Sequence, residues 1–345
     1  MKAWILRGDG AAGLEDVAAP EPGPGEVRIR MAAAALNHHD VFARLGLKGP
    51  GIRERSYPYV SGSDGAGYVD ALGAGVTGFA EGQPVAVYPG IGCGECEYCR
   101  AGREPLCRRY RSWSEGPWGA LAEFSIAPAR NLMALPFGTE LTRIGAGIVT
   151  YTTAWHLLVV LGGWRLGQTG LGVGGGGGVA AAGVTIAVRA GARVFATSGQ
   201  EWKVLRLGEL GAIAVDHSAV EYDAWILEQT EGRGADLVLD SNGAATWRRS
   251  IRSLAPGGRM VVCGATTGDV PEISIRELYQ SHRQILGSPI GGRSDFDAVI
   301  PLLVSGELSP VIHSIRPLEE VEAAMDELEA GGQFGKIVLR MGGVG

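Results

Sequence analysis

Between residues 170 and 288 the chain alternates short strand-like runs with longer helix-like ones, and this alternation restricts the fold more than any other feature. Strand-like runs fall at 170–175, 193–196, 212–216, 236–240, 259–263 and 284–288. Helix-like runs fall at 179–190, 201–210, 222–230 and 245–254. Strands and helices repeating at this spacing call for a parallel sheet covered on both faces. The fold class expected is therefore α/β, with a doubly wound sheet in this region.

The first 130 residues have a different texture. Short strands are expected at 26–33, 67–71 and 83–88, joined by Gly/Pro turns, with Pro20, Pro22 and Pro24 stiffening one of them. That is a β-rich domain. The tail from 295 carries an amphipathic helix near 318–329 and a last strand at 336–340. A chain of 345 residues exceeds what one core supports, so two domains are expected. No internal repeat is present.

Composition narrows the function classes. Hydrophobic residues make up 46% and charged residues 20%, with a net charge of -6 and no basic block. This argues against nucleic acid and against an acidic membrane surface as partners. The N-terminus MKAWILRGDG has too short an apolar run for a signal peptide. No stretch is read as a membrane span, and 170–188 comes nearest. A cytoplasmic enzyme acting on a small molecule is the expectation.

Glycine is the outlier, at 56 of 345 residues, roughly twice the usual share. Five of them, Gly174 to Gly178, follow a strand and open a helix. Read as G-x-G-x-x-A, the motif uses Gly175, Gly177 and Ala180. The first makes the turn, the second lets backbone approach a pyrophosphate, and the third lets helix and strand pack closely. The phosphates would sit on the helix N-terminus at Gly178 and Val179, where free N–H groups favour anions. A flexible linker is the alternative, and the position between strand and helix argues against it. The strand before the loop, TGLGVGG, is itself glycine-rich, which is poor strand chemistry.

The next strand bears on the nucleotide. NAD sites place an acid at its end for the ribose 2′-hydroxyl. Here it ends at Ser198, with Lys203 and Arg206 following. A hydroxyl and a cation suit a 2′-phosphate, so NADP(H) is expected over NAD(H).

Cys93, Cys96, Cys99 and Cys107 are separated by two, two and seven residues. Four thiolates at such gaps wrap one tetrahedral zinc, and four protein ligands leave no open position, so the zinc is structural. Disulfides are the alternative, disfavoured by the expected compartment. Gly92, Gly94, Gly102 and Pro105 suit a loop rather than a helix. Cys263 stands alone on a strand and is read as core.

Taken together, EPGPGEV, ALNHHD (35–40), GSDGAGYV before LGAGV, the four-cysteine lobe, YTTAWHLL, the glycine loop, PGGRMVVCGATTG and FGKIVL span the whole chain. The chain resembles the zinc-type alcohol dehydrogenases of the medium-chain dehydrogenase/reductase superfamily. The resemblance implies a GroES-like catalytic domain (1–148 and 291–345, with the zinc lobe at 92–108) and a Rossmann domain (149–290). It also implies a homodimer or homotetramer joined through the strand at 284–288.

Residue by residue, the resemblance breaks at the reacting centre. Zinc-catalytic members have a cysteine where Asn37 stands, a His-Glu pair where Ser63 and Asp64 stand, and a third ligand near Val149. Only Asp64 remains a plausible ligand, and A-L-N-x-x-D is similar to the zinc-independent quinone and enoyl reductases. His38 aligns with a basic residue that contacts the pyrophosphate. His39 falls at the Ser/Thr of the proton relay and is a candidate proton donor. Asp40 is expected to orient a histidine. Thr153, Gly264, Ala265 and Ser288 are expected to border the nicotinamide, and Lys336 to reach the pyrophosphate. Trp113, Trp118 and Trp155 are candidates for an apolar substrate pocket or for core, and His156 for a helix or core position.

Three functions stay open: an NADP(H)-dependent oxidoreductase acting on an activated C=C or C=O without catalytic zinc; a zinc alcohol dehydrogenase using Asp64 and His38 or His39; and a non-catalytic NADPH-binding protein. Loops 46–57 and 111–118 shape the substrate pocket but carry no motif.

Overall fold

The computed structural model describes residues 1–8, 10–47 and 55–342. Most of the first of the two pocket loops named above, 48–54, lies outside the described residues. The chain divides into two compact units, Met1–Val149 with Gly292–Gly345, and Thr150–Gly291.

In the first unit the strand Glu26–Ala35 is the hub. It pairs antiparallel with Asp64–Leu72, Phe124–Pro128 and Lys336–Arg340. Among the described residues these belong to a seven-stranded sheet that also takes in Pro84–Val87, Leu132–Ala134 and Ile312–Pro317. Val27, Ile29 and Met31 alternate into a core shared with Trp113, Leu121, Met325 and Leu339, which is the period-two pattern of a strand with one buried face. The helix expected at 318–329 starts as one 3-10 turn, Leu318–Glu320, and becomes α-helical over Val321–Glu329.

The second unit is a six-stranded parallel sheet among the described residues. Its spatial order is Ile213–Asp216, Arg193–Ser198, Thr169–Val173, Ala235–Asp240, Leu254–Val262, Gln284–Gly287. The strand order reverses at Thr169–Val173, the switch point outside whose carboxyl end doubly wound sheets bind ligands. Gln284–Gly287 is an edge strand of this sheet.

The glycines of the first strand have a packing cause. A Cβ on Gly170 would stand 2.6 Å from the Trp164 ring, and one on Gly172 would stand 3.2 Å from Val184 of the covering helix. On that helix a Cβ on Gly183 would stand 2.8 Å from Leu239. The strand gives up side chains so that Trp164 and the helix Gly178–Arg189 lie directly on its backbone.

One expectation needs correcting. The helical stretch Leu141–Leu161 is long and apolar enough to cross a membrane by length and composition, and 67% of its most apolar window is buried inside the protein. It packs as a core helix, with Gly145 against Ala33 and Gly147 against Leu303 and Pro310. The stretch 170–188 is instead a strand, a turn and the start of a helix. At His156–Leu161 the helix widens into a π-turn, the kind of local widening that recurs beside functional sites.

Replacing Gly170 by alanine should overpack this contact and lower stability by about 1–3 kcal/mol. Urea unfolding measures it. The loss should shrink when Trp164 is also replaced by leucine, because the two changes share one contact.

Candidate active site

The strand Glu26–Ala35 ends two residues before Asn37, which caps the short helix His38–Arg44. The strand Asp64–Leu72 begins at Asp64, and Lys336–Arg340 begins at Lys336. These three residues meet inside the first unit. The Lys336 Nζ donates to the Leu36 carbonyl at 2.6 Å, to Asn37 Oδ1 at 2.7 Å and to Asp64 Oδ2 at 2.9 Å. Asn37 Nδ2 donates to the same Asp64 oxygen at 2.9 Å, and the Val149 N–H donates to Asp64 Oδ1 at 2.6 Å. Lys336 is 4% exposed and Asp64 is fully buried.

An ammonium has three protons, and here all three are spent. Lys336 was expected to reach a pyrophosphate, yet its charge is turned inward onto Asp64. Asp64, the one surviving candidate for a catalytic metal ligand, is neutralised by a lysine and receives two further N–H donors. Asn37 and Val149 stand where the resemblance places metal ligands in zinc-catalytic members, and here both serve this ion pair.

His38 opens the helix. Burial and the nearby Lys336 charge push its pKa down. Asp40 also departs from expectation. Its oxygens accept from the Gly62 and Asn37 backbone N–H groups at 3.0 and 2.9 Å, so it fixes the loop before Ser63 rather than a histidine. Full burial pushes its pKa up.

His39 faces the other way. Its Nδ1 lies 3.3 Å from Ser114 Oγ, and its Nε2 lies 3.0 Å from an Arg55 nitrogen and 3.6 Å from Glu115 Oε1. Ser114 belongs to a closed ring of hydroxyls. Ser63 to Ser114 is 2.8 Å, Ser114 to Ser112 is 3.0 Å, and Ser112 to Ser63 is 3.1 Å. The ring is held by Trp113, which is buried in the core and donates its indole N–H to the Ile126 carbonyl at 2.8 Å. Ser112 and Glu115 close the turn as a capping box, with the Ser112 N–H on Glu115 Oε2 at 2.8 Å. Ser112, Ser114 and Glu115 escaped the motif reading, although S-x-x-E is a capping signature. Trp113 is core, and Trp118 packs beside the buried cluster of Ala3, Ile5 and Val60. Trp155 and His156 lie at the end of the long helix.

In the second unit the glycine loop fits a dinucleotide. Gly174 has φ +68°, which favours glycine, and a Cβ on Gly175 would strike Leu207 at 2.7 Å. A Cβ on Gly177 would meet nothing nearer than 3.5 Å, so the face where a pyrophosphate would approach is open. The helix starts at Gly178 and continues through Val179, with Ala180 buried against the sheet. Ser198 ends the second strand and is buried. Lys203 sits in the first turn of the next helix, its ammonium 5.3 Å from the centre of the Trp202 ring, and burial pushes its pKa down. Arg206 pairs with Glu209 at 2.8 Å. His217, which carries no motif, joins this corner through Thr197 at 3.1 Å and by its proximity to Gly199. Thr153 is buried on the long helix, Gly264 and Ala265 follow the strand Leu254–Val262, and Ser288 follows Gln284–Gly287. A Cβ on Gly264 would overlap the Ser241 carbonyl at 2.3 Å.

The four lobe cysteines bring their sulfurs within 4.8 Å of one another, with Cys93 and Cys99 at 3.9 Å. Thiolates at zinc's bond length would stand about 3.8 Å apart around a tetrahedron, so the set fits zinc and carries no disulfide. The N–H groups of Cys96 and Arg109 already point at sulfurs, at 3.3 Å each. The lobe is not all loop, because Glu97–Arg100 forms one helical turn and Glu104–Leu106 a 3-10 turn. Among the described residues, these cysteines form the one group of three or more metal-binding side chains drawn together. Cys263 lies just past its strand, and burial pushes its thiol up to about 12.

Removing one partner of a buried ion pair strands the other charge. Lys336→Met should cost about 3–5 kcal/mol, measured by urea unfolding. Combining it with Asp64→Asn should recover part of that loss.

Residues 23–137 match the alcohol dehydrogenase GroES-like domain, and residues 178–305 match the zinc-binding dehydrogenase family. The NAD-dependent alcohol dehydrogenase of Saccharolobus solfataricus is 31% identical, over 94% of this chain and 95% of that protein. The acryloyl-coenzyme A reductase of Metallosphaera sedula is 29% identical, over 98% and 99%. A crystal structure of an NAD-dependent alcohol dehydrogenase matches with TM-score 0.93 and 38% identity, over 99% of this chain and all of that one. The resemblance drawn from the motifs is thus borne out in family and in fold. The chain belongs to the zinc-type alcohol dehydrogenases of the medium-chain dehydrogenase/reductase superfamily, oxidoreductases that join a GroES-like domain to a Rossmann domain.

Proposed function

We propose that this enzyme is an NADP(H)-dependent oxidoreductase that moves a hydride between nicotinamide and an activated C=C or C=O carbon, with one structural zinc and none at the reacting centre. The observation that carries the reading is the buried Lys336–Asp64 pair with Asn37. A cation already sits on the one carboxylate a catalytic zinc would need. Catalytic zinc takes three protein ligands and an open position. Here His38 and His39 face apart, and Ser63 is tied into a hydroxyl ring. Bound nicotinamide would supply the hydride. The chain's part is to hold the substrate and to meet developing negative charge with protein donors.

The relatives include alcohol dehydrogenases and a reductase whose name specifies an acryloyl thioester. The reductase side suits a centre without a Lewis acid. Preference for NADP(H) rests on Ser198, Lys203 and the lack of an acid at the strand end, and it departs from the relatives named as NAD-dependent. Glycines, not side chains, line the open face at Gly177, as close approach of a pyrophosphate requires.

Metal analysis of protein never exposed to chelator should find one zinc per chain, lost in Cys96→Ser. Two per chain would support the zinc alcohol dehydrogenase reading instead. NADPH oxidation should be seen with at least one of a quinone, an enone and an aldehyde, with a lower KM for NADPH than for NADH. Binding of NADPH without turnover of any of these, or of an alcohol with NADP, would favour a non-catalytic role.

A further inference from the structure

We propose that Ser63, Ser114 and His39 form a proton wire, in which Ser63 is the group that protonates the reduced substrate and Ser112 and Glu115 hold the wire in register. The inference rests on the reductase reading above and gives it a proton donor.

The geometry sets the direction. Arginine can only donate, so the Arg55 contact at 3.0 Å requires a lone pair on His39 Nε2. In the neutral ring the proton then lies on Nδ1, which faces Ser114 Oγ. Ser114 Oγ can accept from Nδ1 and from Ser63 while donating to Ser112, and Ser112 can donate back to Ser63. Every hydroxyl in the ring is thereby satisfied. Hydroxyl protons rotate freely, so the ring can pass a proton either way. The outer end of the path is exposed and the two hydroxyls are buried. The His39 side chain is 36% exposed, whereas Ser63 and Ser114 are 6% and 1% exposed. The wire therefore runs from water to a buried hydroxyl next to Asp64.

The charged groups around His39 are Arg55 and Glu115 on its Nε2 side and Asp40 beside it in sequence. Glu115 is held ionised. Burial opposes this, but the neighbouring His39, the Ser112 N–H and the Arg55 charge bring its pKa below the usual range. It thus offers a counter-charge when Nε2 gains a proton.

The step balances. Hydride delivery to the electrophilic carbon pushes the π pair of the C=O or C=C onto the far atom. That atom takes the Ser63 Oγ proton, Ser63 takes the Ser114 proton, and Ser114 takes the His39 Nδ1 proton. His39 Nε2 takes one proton from water. One solvent proton is consumed per hydride, and His39 is left as the other neutral tautomer.

The test has two readouts on the full-length protein. Imidazole ¹⁵N NMR of the wild type above pH 8, without cofactor, should show His39 protonated on Nδ1. Ser114→Ala should shift that ring toward the Nε2–H tautomer. A wild type already dominated by Nε2–H overturns the wire. Second, 4-nitrobenzaldehyde, 1,4-benzoquinone and cyclohexenone are assayed with NADPH, and the fastest is carried forward. Ser114→Ala should lower kcat by about 10²-fold, in the range of a lost general acid, with KM little changed. It should raise the solvent deuterium isotope effect on kcat, and Ser114→Thr should restore most of the rate. Turnover by the wild type with Ser114→Ala unimpaired overturns the wire and leaves the reductase reading standing. No turnover of any of the three probes by a folded wild type that binds NADPH overturns both.

Discussion

One buried ion pair organises the centre of the first unit. Lys336 and Asp64 lie 272 residues apart in sequence and 2.9 Å apart in space. Through them five elements are tied at one point: the end of Glu26–Ala35 by the Leu36 carbonyl, the helix start by Asn37, the strands Asp64–Leu72 and Lys336–Arg340 that carry the pair, and the long helix by the Val149 N–H. Burying two charges is costly, and the cost is met only when the remaining donors and acceptors are also paired. Here they are. The three ammonium protons and both carboxylate oxygens have partners, so the cluster is electrically complete before any substrate arrives.

That completeness dictates the chemistry left over. In a centre built round a metal, the cation polarises the substrate and the protein supplies ligands. In this chain the corresponding positions carry an amide, a hydroxyl and an already paired carboxylate. On the proposed reading, stabilisation of developing charge falls to neutral donors. The serine hydroxyls proposed for this are held by Trp113 in the core and by the Ser112–Glu115 capping box. A rigid aromatic anchor with a serine on each side places two hydroxyls within 3.0 Å of one another without a long loop.

Much of the architecture was legible in sequence because its signals are local. The strand–helix alternation gave the parallel sheet, the glycine run gave the loop, and the cysteine gaps gave the four-sulfur cluster, each within a window of a few tens of residues. What escaped was long-range. Lys336 could be matched to a basic position, but nothing near it shows that it turns toward Asn37, 299 residues away. Asp40 looked like a histidine's partner because it follows two histidines, whereas helix geometry points it back to Asn37 and Gly62. The glycine-rich strand was opaque for the same reason, since its cause is the Trp164 ring on the other side of the glycine's missing Cβ. Ser112 and Ser114 sit in a segment without a motif, and only folding brings them to Ser63.

His38 and His39 show how far position alone misleads. They are adjacent, of one residue type, on the first turn of one helix. A helix turns about 100° per residue, so neighbours look in different directions. Burial and the nearby Lys336 charge push the His38 pKa down. His39 turns toward Glu115, Arg55 and Ser114, where an anion, a donor and a hydroxyl bracket the ring. A residue that must gain and lose a proton in each cycle needs a counter-charge for one state and a hydrogen-bond partner for the other. His39 has both, and His38 has a repelling ammonium instead. In the proposed wire the proton therefore passes through the second histidine of the pair.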